Sequence, residues 1–111
     1  MTDKVIIYQV FTRLFGNRNT TRKECGTIAE NGSGKFNDFD SKTLKTIKKL
    51  GVSHIWYTGV IRHATQTNYS QYGIPSQCAT VVKGKAGSPY AICDYYDVDP
   101  DLAVNVEKRM D

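Results

Sequence analysis

Asp40-Ser41-Lys42-Thr43-Leu44-Lys45-Thr46-Ile47-Lys48-Lys49-Leu50-Gly51-Val52-Ser53-His54-Ile55-Trp56-Tyr57-Thr58 is the stretch whose reading decides the fold. Asp40 or Ser41 supplies a capping oxygen. Leu44, Ile47 and Leu50 then recur at helical spacing, with Lys42, Lys45, Lys48 and Lys49 on or beside the opposite face. Lys48 and Lys49 suit the negative end of the helix dipole, and Gly51 stands where a left-handed residue ends a helix. The pattern predicts a helix over about 41–50 and a buried strand over about 52–58. Upstream, Val5-Ile6-Ile7-Tyr8-Gln9-Val10-Phe11 is a nearly continuous apolar and β-branched run, which predicts another buried strand over about 4–11. Strand, helix and strand in that order make a β-α-β unit, whose crossover is right-handed and whose strands run parallel. Both strands then end on one face, and residues 59–100 leave from it. In parallel α/β folds ligands bind at that face.

Gly87-Ser88-Pro89-Tyr90-Ala91-Ile92-Cys93-Asp94-Tyr95-Tyr96-Asp97-Val98-Asp99-Pro100 lies at the far end of this segment. Its prolines donate no backbone hydrogen bond and push their predecessors to extended conformations, so it reads as an ordered loop. Tyrosine offers a flat apolar face with a polar tip, and carboxylates accept hydrogen bonds from hydroxyls. Such side chains hold sugars. They also pin loops to cores, and both readings stand at this point.

Tyr8 to Gly16, Leu50 to Thr58 and Tyr90 to Pro100, in that order and spacing, resemble the opening of an α-amylase family (family 13) glycoside hydrolase. The resemblance spans nearly the whole chain apart from residues 61–87. It implies the β-α-β start of a (β/α)8 barrel, a fold of about 250 residues. It also implies a retaining enzyme acting on α-1,4-glucans such as starch, glycogen or maltooligosaccharides, through a covalent intermediate between two carboxylates about 5 Å apart. Tyr90 takes the place of the family's stacking tyrosine beneath the sugar. Asp94 and Tyr95 take the place of a loop-supporting pair, Asp99-Pro100 that of a turn toward the next helix, and Gln9 that of a residue inside the barrel. Gly87-Ser88-Pro89 and Ala91 depart from the family's loop, which loosens the implied substrate preference. The strands that bear the family's catalytic carboxylates have no counterpart here. The expectation is therefore an amino-terminal fragment, inactive by itself, with no catalytic or metal-binding residue of its own; calcium is allowed only in the parent enzyme. Val104 to Asp111 reads as the start of a next helix.

A chain of 111 residues with 40% hydrophobic content allows one domain or less. Two barrel strands alone would leave open edges and an inner face of Ile7, Ile55 and Trp56, so self-association is expected. Met1-Thr2-Asp3-Lys4 has no leader-like pattern and no apolar run suits a membrane span, so a cytoplasmic protein without membrane partners is expected. Cys25, Cys78 and Cys93 lack zinc-like spacing and are expected reduced, with a Cys78–Cys93 bridge as the oxidised alternative. The net charge of +4 reads as a solvated lysine face, not a nucleic-acid footprint. Asn31 to Lys35 lacks the phosphate-loop spacing and reads as a turn toward Phe36 and Phe39. Arg62 and His63, at the end of the second strand, read as ordinary polar loop residues with lining a site as the alternative, and His54 reads as packed and hydrogen-bonded within the strand. The rival to the enzyme fragment is a free-standing carbohydrate-binding or interaction module; a basic nucleic-acid-associated domain ranks behind both.

Overall fold

In the computed structural model, residues 4–111 are described; Met1–Asp3, on which the leader reading rests, lie outside them. The elements in chain order are β1 (Ile7–Phe11), α1 (Ile28–Asn31), α2 (Ser41–Lys48), β2 (His54–Thr58), β3 (Ile61–His63) and β4 (Ile92–Val98), with short 3-10 turns between them. Asp40 caps α2 by accepting a 2.8 Å hydrogen bond from the Thr43 amide. Gly51 then takes the left-handed conformation, φ 84°. α1 starts with a capping box between Thr27 and Glu30.

β1 and β2 pair in parallel, Ile7 opposite His54 through Phe11 opposite Thr58. Thr12 continues the ladder by donating to the Thr58 carbonyl at 3.1 Å. Because side chains alternate, Ile7, Gln9, Phe11, His54, Trp56 and Thr58 share one face, and Tyr8, Val10, Ile55 and Tyr57 the other. Gln9 confirms this face by donating to the Thr58 hydroxyl at 2.8 Å. Phe39, just before α2, covers the second face: it stacks on Phe15 and meets Tyr57 edge-on.

The chain beyond β2 overturns the expected barrel opening. The parallel pair stays two-stranded, and β3 and β4 form a separate antiparallel pair out of residues expected to be irregular loop. This is a small α/β arrangement of two sheets, not the β-α-β start of a (β/α)8 barrel. The physical reason for β4 lies in where its prolines fall. Pro89 and Pro100 flank Ile92–Val98 without entering it, so every amide in the strand remains free to pair.

Burial corrects further expectations. The parallel strands are not buried on both faces: Ile7 is 58% and Trp56 55% exposed. Ile55 points to the opposite face from both, so the three do not form one surface. His54 is exposed rather than packed, its ring Nδ1 2.8 Å from the Ser53 hydroxyl. Of the α2 stripe only Ile47 is buried, while Leu44 and Leu50 face solvent. Residues 104–111 form turns, not a helix.

The most buried region sits behind β3 and β4. Leu102, Thr12, Asp99 and Pro100 are almost wholly enclosed, with His63, Ala64 and Asp101 beside them. Gly34 joins this region to β1 by close backbone approach: its amide donates to the Arg13 carbonyl at 2.6 Å. A Cβ there would collide with the Thr12 and Phe15 carbonyls. The chain as a whole is drawn out, 52 × 31 × 25 Å, with a radius of gyration of 15.4 Å. A self-contained domain of this size has about 13 Å.

Candidate functional site

Tyr90 stands at the carboxyl ends of β1 and β2, on a turn closed by Ala91 donating to the Ser88 carbonyl at 3.1 Å. Gly59, φ 85°, lets that turn approach the strand ends. A Cβ at Gly59 would lie 3.1 Å from Pro89 Cβ and 3.7 Å from the Phe11 ring. Tyr90 is 75% exposed, so its ring contributes little to the core. It divides two hollows. One, about 180 Å³, is lined by Trp56, Gly59, Ile61, Pro89 and Ile92. The other, an open groove of about 660 Å³, runs along Phe11, Arg13 and residues 83–89. A projecting aromatic face between two hollows is an arrangement suited to stacking a flat apolar ring surface.

The turn is held from behind. Arg13 lies over the Phe11 ring at 5.0 Å and donates to the carbonyls of Ala86 and Gly87 at 3.2 and 3.1 Å. Gly87, φ 79°, sits with the Ala64 carbonyl where a side chain would be. Gly87→Ala should therefore cost at least about 2 kcal/mol, combining left-handed strain with a backbone collision. Urea unfolding checks this, and a loss below about 0.5 kcal/mol would show that the turn accommodates a side chain.

Beneath it lies a polar centre. The Asp101 carboxylate accepts from the Tyr69 hydroxyl and, at 3.5 Å, from the Thr65 hydroxyl. Its backbone carbonyl accepts from Lys35 Nζ at 2.6 Å. Asp99 Oδ1 accepts from the Asp101 amide at 3.1 Å, while Asp99 Oδ2 is buried without a hydrogen-bond partner. His63 Nε2 lies 3.7 Å from that oxygen and 3.2 Å from the Ala86 carbonyl. Burial, and then the neighbouring Asp101 charge, push the Asp99 pKa up to about 7. Burial likewise pushes the His63 pKa down, against the Ile61 and Ala86 carbonyls that raise it. Below about pH 7 Asp99 largely keeps its proton, and burial disfavours the charged form of His63, so burial works against an ion pair between them. Burial and the Tyr69–Asp101 hydrogen bond both raise the Tyr69 pKa, so its proton stays on the phenol.

A second charged clasp ties β3 to β4 and to the chain's last turn. Arg62 pairs with Asp94 at 3.1 Å and with Asp97 at 3.3 Å. Arg109 grips both oxygens of Asp97 at 2.8 and 3.0 Å. Burial alone would raise the Asp97 pKa, but the Arg109 hydrogen bond, the Val98 amide and both guanidinium charges hold it below its ordinary value.

Of the sequence-derived residues, Tyr90 is placed where a ligand can reach it. Asp94 pairs with Arg62 at 3.1 Å and accepts from the Tyr96 amide at 2.8 Å. Tyr95 is 75% exposed, and among the described residues its side chain makes no hydrogen bond. His63, expected to be an ordinary loop residue, is instead buried at the polar centre. Sequence reasoning missed Asp97 and Asp101, which carry most of the polar contacts; the alternating aspartates of Asp97-Val98-Asp99-Pro100-Asp101 are their only sequence signal. Cys25, Cys78 and Cys93 are exposed and unpaired, so no Cys78–Cys93 bridge is present.

No group of three or more metal-ligating side chains occurs among the described residues. Comparison with family models, with curated proteins and with solved structures finds no match to this chain.

Proposed function

We propose that these residues are the substrate-contacting, amino-terminal part of an α-amylase-type glycoside hydrolase that acts on α-1,4-glucans by a retaining mechanism. The observation that carries this reading is the exposed Tyr90 ring, fixed between two hollows at the carboxyl ends of the parallel strands. Tyr90 binds the glucan, and Asp94 supports the strand on which it lies. In this reading the catalytic carboxylates are supplied from elsewhere, and among the described residues no Asp or Glu lines either hollow beside Tyr90. The three unpaired thiols suit a reducing compartment, and the reading places the protein in the cytoplasm. No helix among the described residues is long and apolar enough to cross a membrane.

A free-standing carbohydrate-binding module would use Tyr90 in the same way. The drawn-out shape, the unpaired edges of β1 and β2, and the exposed Ile7 and Trp56 favour a part of something larger. The same features lead us to expect that the isolated chain self-associates at micromolar concentration. Light scattering checks this; a sharp monomer that melts cooperatively would favour the module. The pure chain is also expected to release no reducing sugar from maltooligosaccharides above a mock-purified control. Turnover would sink the assignment of the carboxylates to other residues.

A further inference from the structure

The wider groove beside Tyr90 carries charge that a neutral glucan does not use. Arg13, Lys23, Lys83 and Lys85 line it, and Phe11 and Tyr90 are its aromatic walls. Among the described residues no carboxylate lines it. Lys23 is paired with Glu30 at 2.7 Å. Arg13 lies over the Phe11 ring and donates to two backbone carbonyls, and its charge is partly answered by Asp99 behind the turn, so the anion falls to the lysines. Lys83 and Lys85 are exposed and have no ion-pair partner among the described residues.

The backbone fixes where the two lysines start. The Lys85 carbonyl accepts from the Gln66 amide at 2.8 Å and the Thr65 hydroxyl at 3.0 Å. The Lys83 carbonyl accepts from the Gly87 amide at 3.0 Å. Like charges around one hollow repel, and an anion relieves that repulsion. Sugar hydroxyls are best held by a mixture of donors and acceptors. The charged side chains here are donors only, whereas phosphate and carboxylate are pure acceptors. The groove's volume, about 660 Å³, lies within the usual range for small-ligand sites, about 300–1,000 Å³.

We propose that this groove recognises a negatively charged sugar, its ring stacked on Tyr90 and its anionic group held by Lys83 and Lys85. The proposal rests on Tyr90 being a sugar platform and adds the anion to it. A phosphate ester and a uronic acid share this chemistry. A nucleic acid fits less well, because single-strand binding uses successive aromatic platforms along a basic track. This groove has one projecting tyrosine.

The test is calorimetric titration of the chain at low salt with four probes: maltotriose, maltotriose carrying one 6-phosphate, maltotriose ending in glucuronic acid, and a short single-stranded DNA. At least one charged sugar should bind about tenfold more tightly than maltotriose, the effect of one charge-assisted hydrogen bond or more. A gain confined to one probe identifies phosphate or carboxylate as the group recognised. Lys83→Gln with Lys85→Gln should remove the gain and leave maltotriose binding unchanged, and Tyr90→Ala should weaken every sugar. Equal affinity for charged and neutral sugars would overturn the proposal. So would a gain that survives the double substitution, or DNA binding more tightly than every sugar. A charged sugar that binds through these lysines while maltotriose does not would uphold the anion site and sink the neutral-glucan reading.

Discussion

At pH 8, Asp99→Asn is expected to make the folded chain more stable than the wild type, on the order of 4 kcal/mol if the full difference between about 7 and an ordinary carboxyl is realised. Asp99 is wholly enclosed beside a second carboxylate, with one oxygen unpartnered. Its folded pKa stands above its unfolded one. The folded chain therefore holds a proton that the unfolded chain releases, and this group's contribution to stability falls as pH rises from near 4 to near 7. Above that window the penalty is complete; below it the penalty vanishes. Asparagine keeps the oxygen that accepts from the Asp101 amide and carries no charge.

His63 works in the opposite direction. Its folded pKa is lowered, so its contribution is lost as pH falls through and below the ordinary histidine range. The two slopes offset each other in the wild type, which makes the difference between variant and wild type the informative quantity. Urea unfolding from pH 4 to pH 8 should show that difference growing with pH. A difference that stays constant with pH would mean that Asp99 is already ionised in the folded chain.

Tyr90→Ala is expected to weaken maltooligosaccharide binding about three- to tenfold while leaving the melting temperature unchanged. Stacking by an aromatic ring contributes roughly 0.5–1.5 kcal/mol beyond area burial. The exposed ring has little folded-state packing to lose. Asp94→Ala should behave in the reverse way: it leaves Arg62 with one carboxylate partner and removes the acceptor of the Tyr96 amide. A loss of about 1 kcal/mol lowers the melting temperature by roughly 4–8 °C in a domain of this size. In the longer enzyme that the proposal describes, Tyr90→Ala should lower kcat/KM more than it lowers stability. Normal sugar binding by Tyr90→Ala, or a melting loss matching that of Asp94→Ala, would make Tyr90 a structural residue of the turn.

Local signals were legible where local physics decides. The Asp40 cap, the extent of α2 to within two residues and the left-handed Gly51 follow from neighbours in sequence. β1 and β2 were legible from their apolar runs. Their exposure was not, because burial depends on what covers a strand: Phe39, stacked on Phe15, meets Tyr57, while Ile7 and Trp56 on the other face stay more than half exposed. β4 was hidden by its flanking prolines, whose effect stops one residue before each of them. The polar centre was hidden for another reason. Asp99 and Asp101 meet His63, Thr65 and Tyr69, partners some thirty or more positions away. No spacing within Asp99-Pro100-Asp101 announces them. Tyr90 stands out in the sequence for its chemistry, and its exposure is consistent with that choice; Tyr95, further along the same segment, shows that chemistry alone does not place a ring.

The parallel pairing of β1 with β2 also has a consequence during synthesis on the ribosome. The Ser53 amide and the Ile6 carbonyl it donates to, just before the ladder, are 47 positions apart. At about 5–20 residues per second, β1 is made roughly 2–10 s before its partner strand exists. Throughout that interval Val5 to Phe11 is an apolar extended segment with both edges free, which makes it a ready binding site for chaperones that capture extended hydrophobic chains. Slower translation of residues 12–53 would prolong that exposure, whereas faster translation would shorten it.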